Sequence, residues 1–122
     1  MDEMDINIIQ FTETVKNIDY TIVDIFNNEV NINEYNSDAW FGLGFCYLQG
    51  GDGVEKNYKL AIECFTKAIN VDEYDSTSQK YLGKCYYEGK GVKKNRELAY
   101  YWYSKAIVQG DKSAIKVALY KF

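Results

Sequence analysis

The sequence predicts an all-α fold built from stacked helical hairpins. Three observations carry that reading: a block of about 38 residues is copied within the chain, glycine turns interrupt apolar residues spaced three and four apart, and the 122 residues contain no proline. Apolar positions at those steps share one face of a 3.6-residue helix. With no proline, no backbone donor is lost and no kink is forced, so helices run uninterrupted.

The copy comes first because a fixed internal period decides the architecture. Leu43 to Ile69 reads LGFCYLQGGDGVEKNYKLAIECFTKAI and Leu82 to Ile107 reads LGKCYYEGKGVKKNRELAYYWYSKAI. With one extra residue at Gly51–Asp52, 14 of 26 aligned positions are identical. Glu34-Tyr35-Asn36-Ser37 returns 39 residues later as Glu73-Tyr74-Asp75-Ser76. Ala114, Ala118 and Phe122 follow Ser78, Leu82 and Tyr86 at a spacing of 36. A final half-repeat is a common way for a solenoid to cover its last apolar face.

Each unit reads as helix, turn, helix. Trp40, Leu43, Gly44 and Tyr47 recur at helical steps, and Leu82, Gly83 and Tyr86 match the last three. The turns Gly50–Gly53 and Gly89–Gly91 supply residues able to take the positive φ that ends a helix. Asn57 and Asn95 stand where the second helix begins, with side-chain oxygens suited to its free N–H groups. That helix carries Ala61, Phe65 and Ala68, repeated as Ala99, Tyr103 and Ala106; the alanines permit close approach and the aromatic fills the space beside them. Helices are expected near 3–16, 19–31, 37–49, 57–70, 76–88, 95–109 and 111–121, about seven in all. Met4, Ile8, Phe11, Val15 and Ile18 suit the first, although 3–31 also reads as one long bent helix. One domain over 1–122 follows: a degenerate repeat or cap at 1–36, repeats at 37–75 and 76–110, and a capping helix at 111–122.

The pattern LG-x-x-Y-x-x-G-x-GV-x-x-N-x-x-x-A-x-x-x-aromatic-x-x-A resembles the Sel-one-like repeat, a branch of the tetratricopeptide-like (TPR-like) α-solenoids. Leu82 to Ala114 is the better copy, with Trp102-Tyr103-Ser104-Lys105-Ala106 and Gln109-Gly110-Asp111. Leu43 to Ile69 departs at Cys64, where tryptophan is common; Asn57 and Asn95 replace the usual aspartate. The resemblance implies a right-handed α-α superhelix and a non-catalytic adaptor that holds a partner protein or peptide, a regulatory or immunity-type protein among the options.

Composition narrows the chemistry. The chain has no histidine, which removes the usual general base and the commonest metal ligand. Carboxylate, lysine or tyrosine chemistry survives that test, but no constellation of acid, base and nucleophile stands out, so no catalytic residues, cofactor or metal are expected. Cys46, Cys64 and Cys85 read as small core residues. An acidic N-terminus and the lack of an apolar run near the ~20 residues a membrane span needs lead to the expectation of a cytoplasmic protein. The net charge of −4 divides unevenly: −11 over residues 1–75 and +7 over 76–122. That asymmetry suggests head-to-tail self-assembly into a homo-oligomer as an alternative. A weak nucleic-acid site on the basic half is a further option, disfavoured by the sequence pI near 4.8.

By analogy with tetratricopeptide grooves, first-helix residues beside the packing positions line the binding face. That gives Asp38, Phe41, Phe45, Leu48 and Gln49 in one repeat, and Thr77, Lys80, Lys84, Tyr87 and Glu88 in the next. The final helix adds Lys116 and Tyr120. Phe41, Phe45, Lys80, Lys84, Tyr87, Lys116 and Tyr120 are the candidate partner-binding set, a cationic stripe beside aromatics suited to an acidic anchor with an apolar neighbour. The competing reading is that the N-terminal helix covers Phe41 and Phe45 and the lysines are a solvated face. The aromatic run Tyr100–Tyr103 cannot all point inward on a helix, so Tyr100 or Tyr101 is expected at the surface.

Overall fold

The computed structural model describes residues 27, 28, 30, 33–51 and 53–121. Among them lie five helices whose bounds are described, and no strand: α1 (Ser37–Gln49), α2 (Tyr58–Val71), α3 (Ser76–Glu88), α4 (Arg96–Val108) and α5 (Lys112–Lys121). Each agrees with its expected range to within one residue at either end. The expected helix near 3–16 falls outside the described residues, as does that near 19–31 except for residues 27, 28 and 30, which are helical.

Each of these five helices begins at a side-chain cap, because its first N–H groups lack partners inside the helix. Asn57 Oδ1 accepts from the Leu60 amide and Asn95 Oδ1 from the Leu98 amide, both at 3.0 Å. The first helices are capped as well, by Asn36 to Ala39, Asp75 to Ser78 and Asp111 to Ala114. The segment before α1 and α3 repeats bond by bond. Asn33 and Asp72 accept from the amides of Tyr35 and Tyr74. Trp40 Nε1 donates to the Glu34 carbonyl at 2.8 Å, and Gln79 Nε2 to the Glu73 carbonyl at 2.7 Å.

Each hairpin closes where an aromatic ring lies over a glycine. A Cβ added at Gly44 would stand 2.8 Å from the Phe65 ring; one at Gly83 would stand 3.1 Å from the Ala99 carbonyl and 3.3 Å from the Tyr103 ring. Phe65 and Tyr103 are fully buried in consequence. One core cluster joins Leu48, Ala61 and Phe65 to Cys85 of the next repeat. A second joins Ala99, Tyr103 and Ala106 to Ala114 of α5. Thus α5 covers the second hairpin as α3 covers the first, and the equivalent residues Ser78 and Ala114 are both fully buried.

The cysteines are unpaired. Burial pushes the Cys64 and Cys85 thiols up to about 11, so the nucleophilic thiolate is scarce at neutral pH. Cys46 is only half-buried, and its thiol is raised too. Alkylation of the native protein near pH 8 is therefore expected at Cys46 well before the other two, as read by mass spectrometry of the labelled peptides. Equal rates at all three would contradict this packing.

The two turns separate space from conformation. Gly51 (φ 94°) has open space at the Cβ position, whereas a Cβ on Gly91 (φ 76°) would stand 2.5 Å from the Tyr58 carbonyl oxygen. Both alanine variants suffer the unfavourable φ, roughly 1–2 kcal/mol. Gly91→Ala adds a backbone collision and is expected to be at least ~1 kcal/mol less stable than Gly51→Ala in urea unfolding.

Candidate binding surface

The repeat register arranges the outward residues of the first helices in rows. Lys80 stands 39 residues after Phe41 and Lys116 another 36 on; Phe45, Lys84 and Tyr120 form the parallel set. Because α1 and α3 lie side by side, the Phe41 and Phe45 rings meet Tyr81 of α3, with centroids at 5.5 Å and 5.7 Å. Phe65 lies beneath, 5.8 Å from Phe41 and 5.9 Å from Tyr81. Offset and edge-on rings at these separations attract one another beyond the area they bury.

Both lysines of α3 stand over the Tyr81 ring, Lys80 Nζ at 5.3 Å and Lys84 Nζ at 6.0 Å from its centroid. The ring's negative face draws them to the end of the aromatic patch. Beside them a groove of about 340 Å³ opens between α3 and α5, lined by Lys80, Tyr81, Lys84, Glu88, Tyr103, Ser113 and Val117. Lys80 Nζ donates to Ser113 Oγ at 2.8 Å and lies 3.8 Å from Asp111 Oδ2. Burial alone would raise the Asp111 carboxyl; the hydrogen bond from Ser113, the Ala114 and Ser113 amides and the nearby Lys80 charge together hold it below its ordinary value. Glu88 pairs with Lys90 at 2.9 Å, and that hydrogen bond raises the Lys90 ammonium.

The structure gathers Phe41, Phe45, Lys80 and Lys84 about one tyrosine. Phe45 stays 37% exposed, whereas Phe41 is half-buried. Leu48, expected on the groove, is instead 4% exposed: it packs on Ala61, Phe65 and Cys85, where the second repeat covers the first. Tyr87 is half-buried against the Ala99–Tyr103 cluster. On α5, Ser113 and Val117 reach the groove, while Lys116 and Tyr120 do not line it and stay exposed, Tyr120 at 83%. Sequence reasoning missed Tyr81, whose counterpart in the first repeat is Gly42, so no repeat signal marked it. Ser113 and Asp111 were detectable in part: Asp111 continues the cap register of Asn36 and Asp75.

At the open ends of the two hairpins lie a pair of equivalent clefts. The first, about 320 Å³, includes Glu34, Tyr35, Trp40 and Lys67; the second, about 430 Å³, includes Glu73, Tyr74, Gln79 and Lys105. Lys67 stands 4.5 Å over Trp40, and Lys105 5.0 Å over Tyr101. In the aromatic run Tyr103 is buried, Trp102 is half-buried, and both Tyr100 and Tyr101 are exposed.

Two stacked helical hairpins with this glycine and cap register define a helical-repeat protein. The Sel1 repeat family model matches residues 37–71 and 76–111, and the chain belongs to that family. No curated protein matches the chain. Sel1 repeats generally mediate protein–protein interaction.

Tyr81 and Lys84 are expected to separate structural from surface roles. Tyr81→Ala removes ring contacts to Phe41, Phe45 and Phe65 and is expected to cost about 2–4 kcal/mol. Lys84→Ala is expected to cost under ~1 kcal/mol. Urea unfolding of the two variants checks both values.

Proposed function

We propose that this chain is a non-catalytic adaptor whose groove takes an acidic segment of a partner protein, with an apolar side chain seated on the aromatic patch. The observation that carries the reading is the placement of Lys80 and Lys84 over Tyr81, at the edge of Phe41 and Phe45. An ammonium over a ring keeps N–H groups free to meet a carboxylate, and the neighbouring rings offer apolar area. Lys116 and Tyr120 extend the same register along α5, where a longer segment would reach them. In this reading the first helices form the inner wall of a right-handed superhelix.

The absence of histidine and the burial of the Cys64 and Cys85 thiols support a binding role over a catalytic one. Among the described residues, no helix is long and apolar enough to cross a membrane. A cytoplasmic regulatory or immunity-type protein fits these features. The opposed charges of the two halves favour head-to-tail stacking of copies as the second reading.

Fluorescence anisotropy with a labelled decapeptide of alternating glutamate and leucine tests the groove, with a lysine–leucine peptide as control. The acidic peptide is expected to bind, and Lys84→Ala to weaken it about fivefold. The pair Lys93→Ala and Lys94→Ala, in the turn before α4, is expected to change binding less than twofold. Equal losses from both sets would mean diffuse attraction to a basic half and would remove the groove reading.

A further inference from the structure

The lysine nearest α5 already has an anionic neighbour within the chain. Lys80 donates to the Ser113 hydroxyl at 2.8 Å, while the Asp111 carboxylate draws it from 3.8 Å, and the two side chains are 23% and 11% exposed. We propose that Asp111 is a built-in competitor for the groove: a partner's acidic group must win Lys80 from Asp111 before it engages both groove lysines. The inference rests on the groove reading above and specifies which residue sets its affinity.

Asp111 cannot leave when the partner arrives. Its Oδ1 caps α5, accepting from the Ser113 and Ala114 amides at 3.0 Å and 3.1 Å and from the Ser113 hydroxyl at 2.6 Å. The part free to move is the Lys80 ammonium, carried on a flexible four-carbon stem. Its hydrogen bond is to a neutral hydroxyl, and the carboxylate stands beyond hydrogen-bond distance. A partner carboxylate at 2.7–2.9 Å is therefore the better ligand, because charge-assisted hydrogen bonds are shorter and stronger.

Among the described residues the competitor belongs to one repeat alone. At the equivalent place one repeat earlier Phe41 replaces Lys80, and the Asp75 cap takes the hydroxyl of its own Ser78 at 2.7 Å. The cap before α1 is the neutral Asn36. Cap and groove lysine thus meet at α5, and the fixed negative charge there discriminates against a single weak anion. A segment with two neighbouring carboxylates, one for Lys84 and one for Lys80, is the partner chemistry this arrangement selects.

Asp111→Asn tests the idea, since asparagine caps a helix as well as aspartate does while carrying no charge. In the glutamate–leucine anisotropy assay, Asp111→Asn is expected to tighten binding about threefold to fivefold, with circular dichroism showing an intact fold. In the Lys80→Ala background the same change is expected to have less than a twofold effect. Equal tightening in both backgrounds would reduce Asp111 to one more negative charge and overturn the proposal. So would an unchanged affinity in Asp111→Asn while Lys84→Ala still weakens binding, an outcome that leaves the groove reading standing. If neither Lys84→Ala nor Asp111→Asn alters binding, both readings fall.

Discussion

Phe65 can lie over Gly44, and Tyr103 over Gly83, only because those two positions carry no side chain. That contact fixes how closely the two helices of each hairpin approach, and it places the fully buried ring at the centre of each core cluster. Interiors are packed too densely to absorb an added methyl without movement. A larger residue at either glycine would push the helices apart. It would also disturb the neighbouring repeat, since Cys85 and Ala114 complete clusters founded by the preceding hairpin.

The outward surface inherits its order from that packing. Once α1 and α3 are set side by side, residues equivalent in the repeat fall in rows, and their chemistry is free to vary because they carry little of the core. Phe41 and Phe45 in one repeat become Lys80 and Lys84 in the next, so an apolar patch passes into a cationic one. Tyr81 joins the two halves, its ring packed on phenylalanines and facing ammonium groups. The cap of α5 then lies at the cationic end, where Asp111 meets a structural demand and shapes the electrostatics of the groove at once.

Local features of the fold were legible in the sequence because their causes are local. Glycine turns, asparagine caps and helical apolar steps located all five described helices to within a residue. Glu34-Tyr35-Asn36-Ser37 and its copy marked a segment whose hydrogen bonds do repeat, although their capping role was not read. The groove was legible only in part. Lys80 and Lys84, expected by analogy with tetratricopeptide grooves, line it, and Phe41 and Phe45 adjoin it through Tyr81. How α5 meets α3, however, is a tertiary property that no spacing reveals. Val117 and Ser113 reach the groove, whereas Lys116 and Tyr120 stay exposed. Leu48 was misplaced for a related reason: one face of a helix serves both groove and core, and the depth of the neighbouring repeat decides which.

Nuclear magnetic resonance titration of the isotope-labelled protein with the glutamate–leucine decapeptide tests the central claim most directly, because it reports where an acidic segment lands. The account predicts shifts concentrated at Phe45, Lys80, Tyr81, Lys84, Ser113 and Val117, with the turn at Lys90–Lys94 and the open-end clefts little changed. Shifts spread evenly over the basic half, or centred on Lys67 and Lys105, would contradict it.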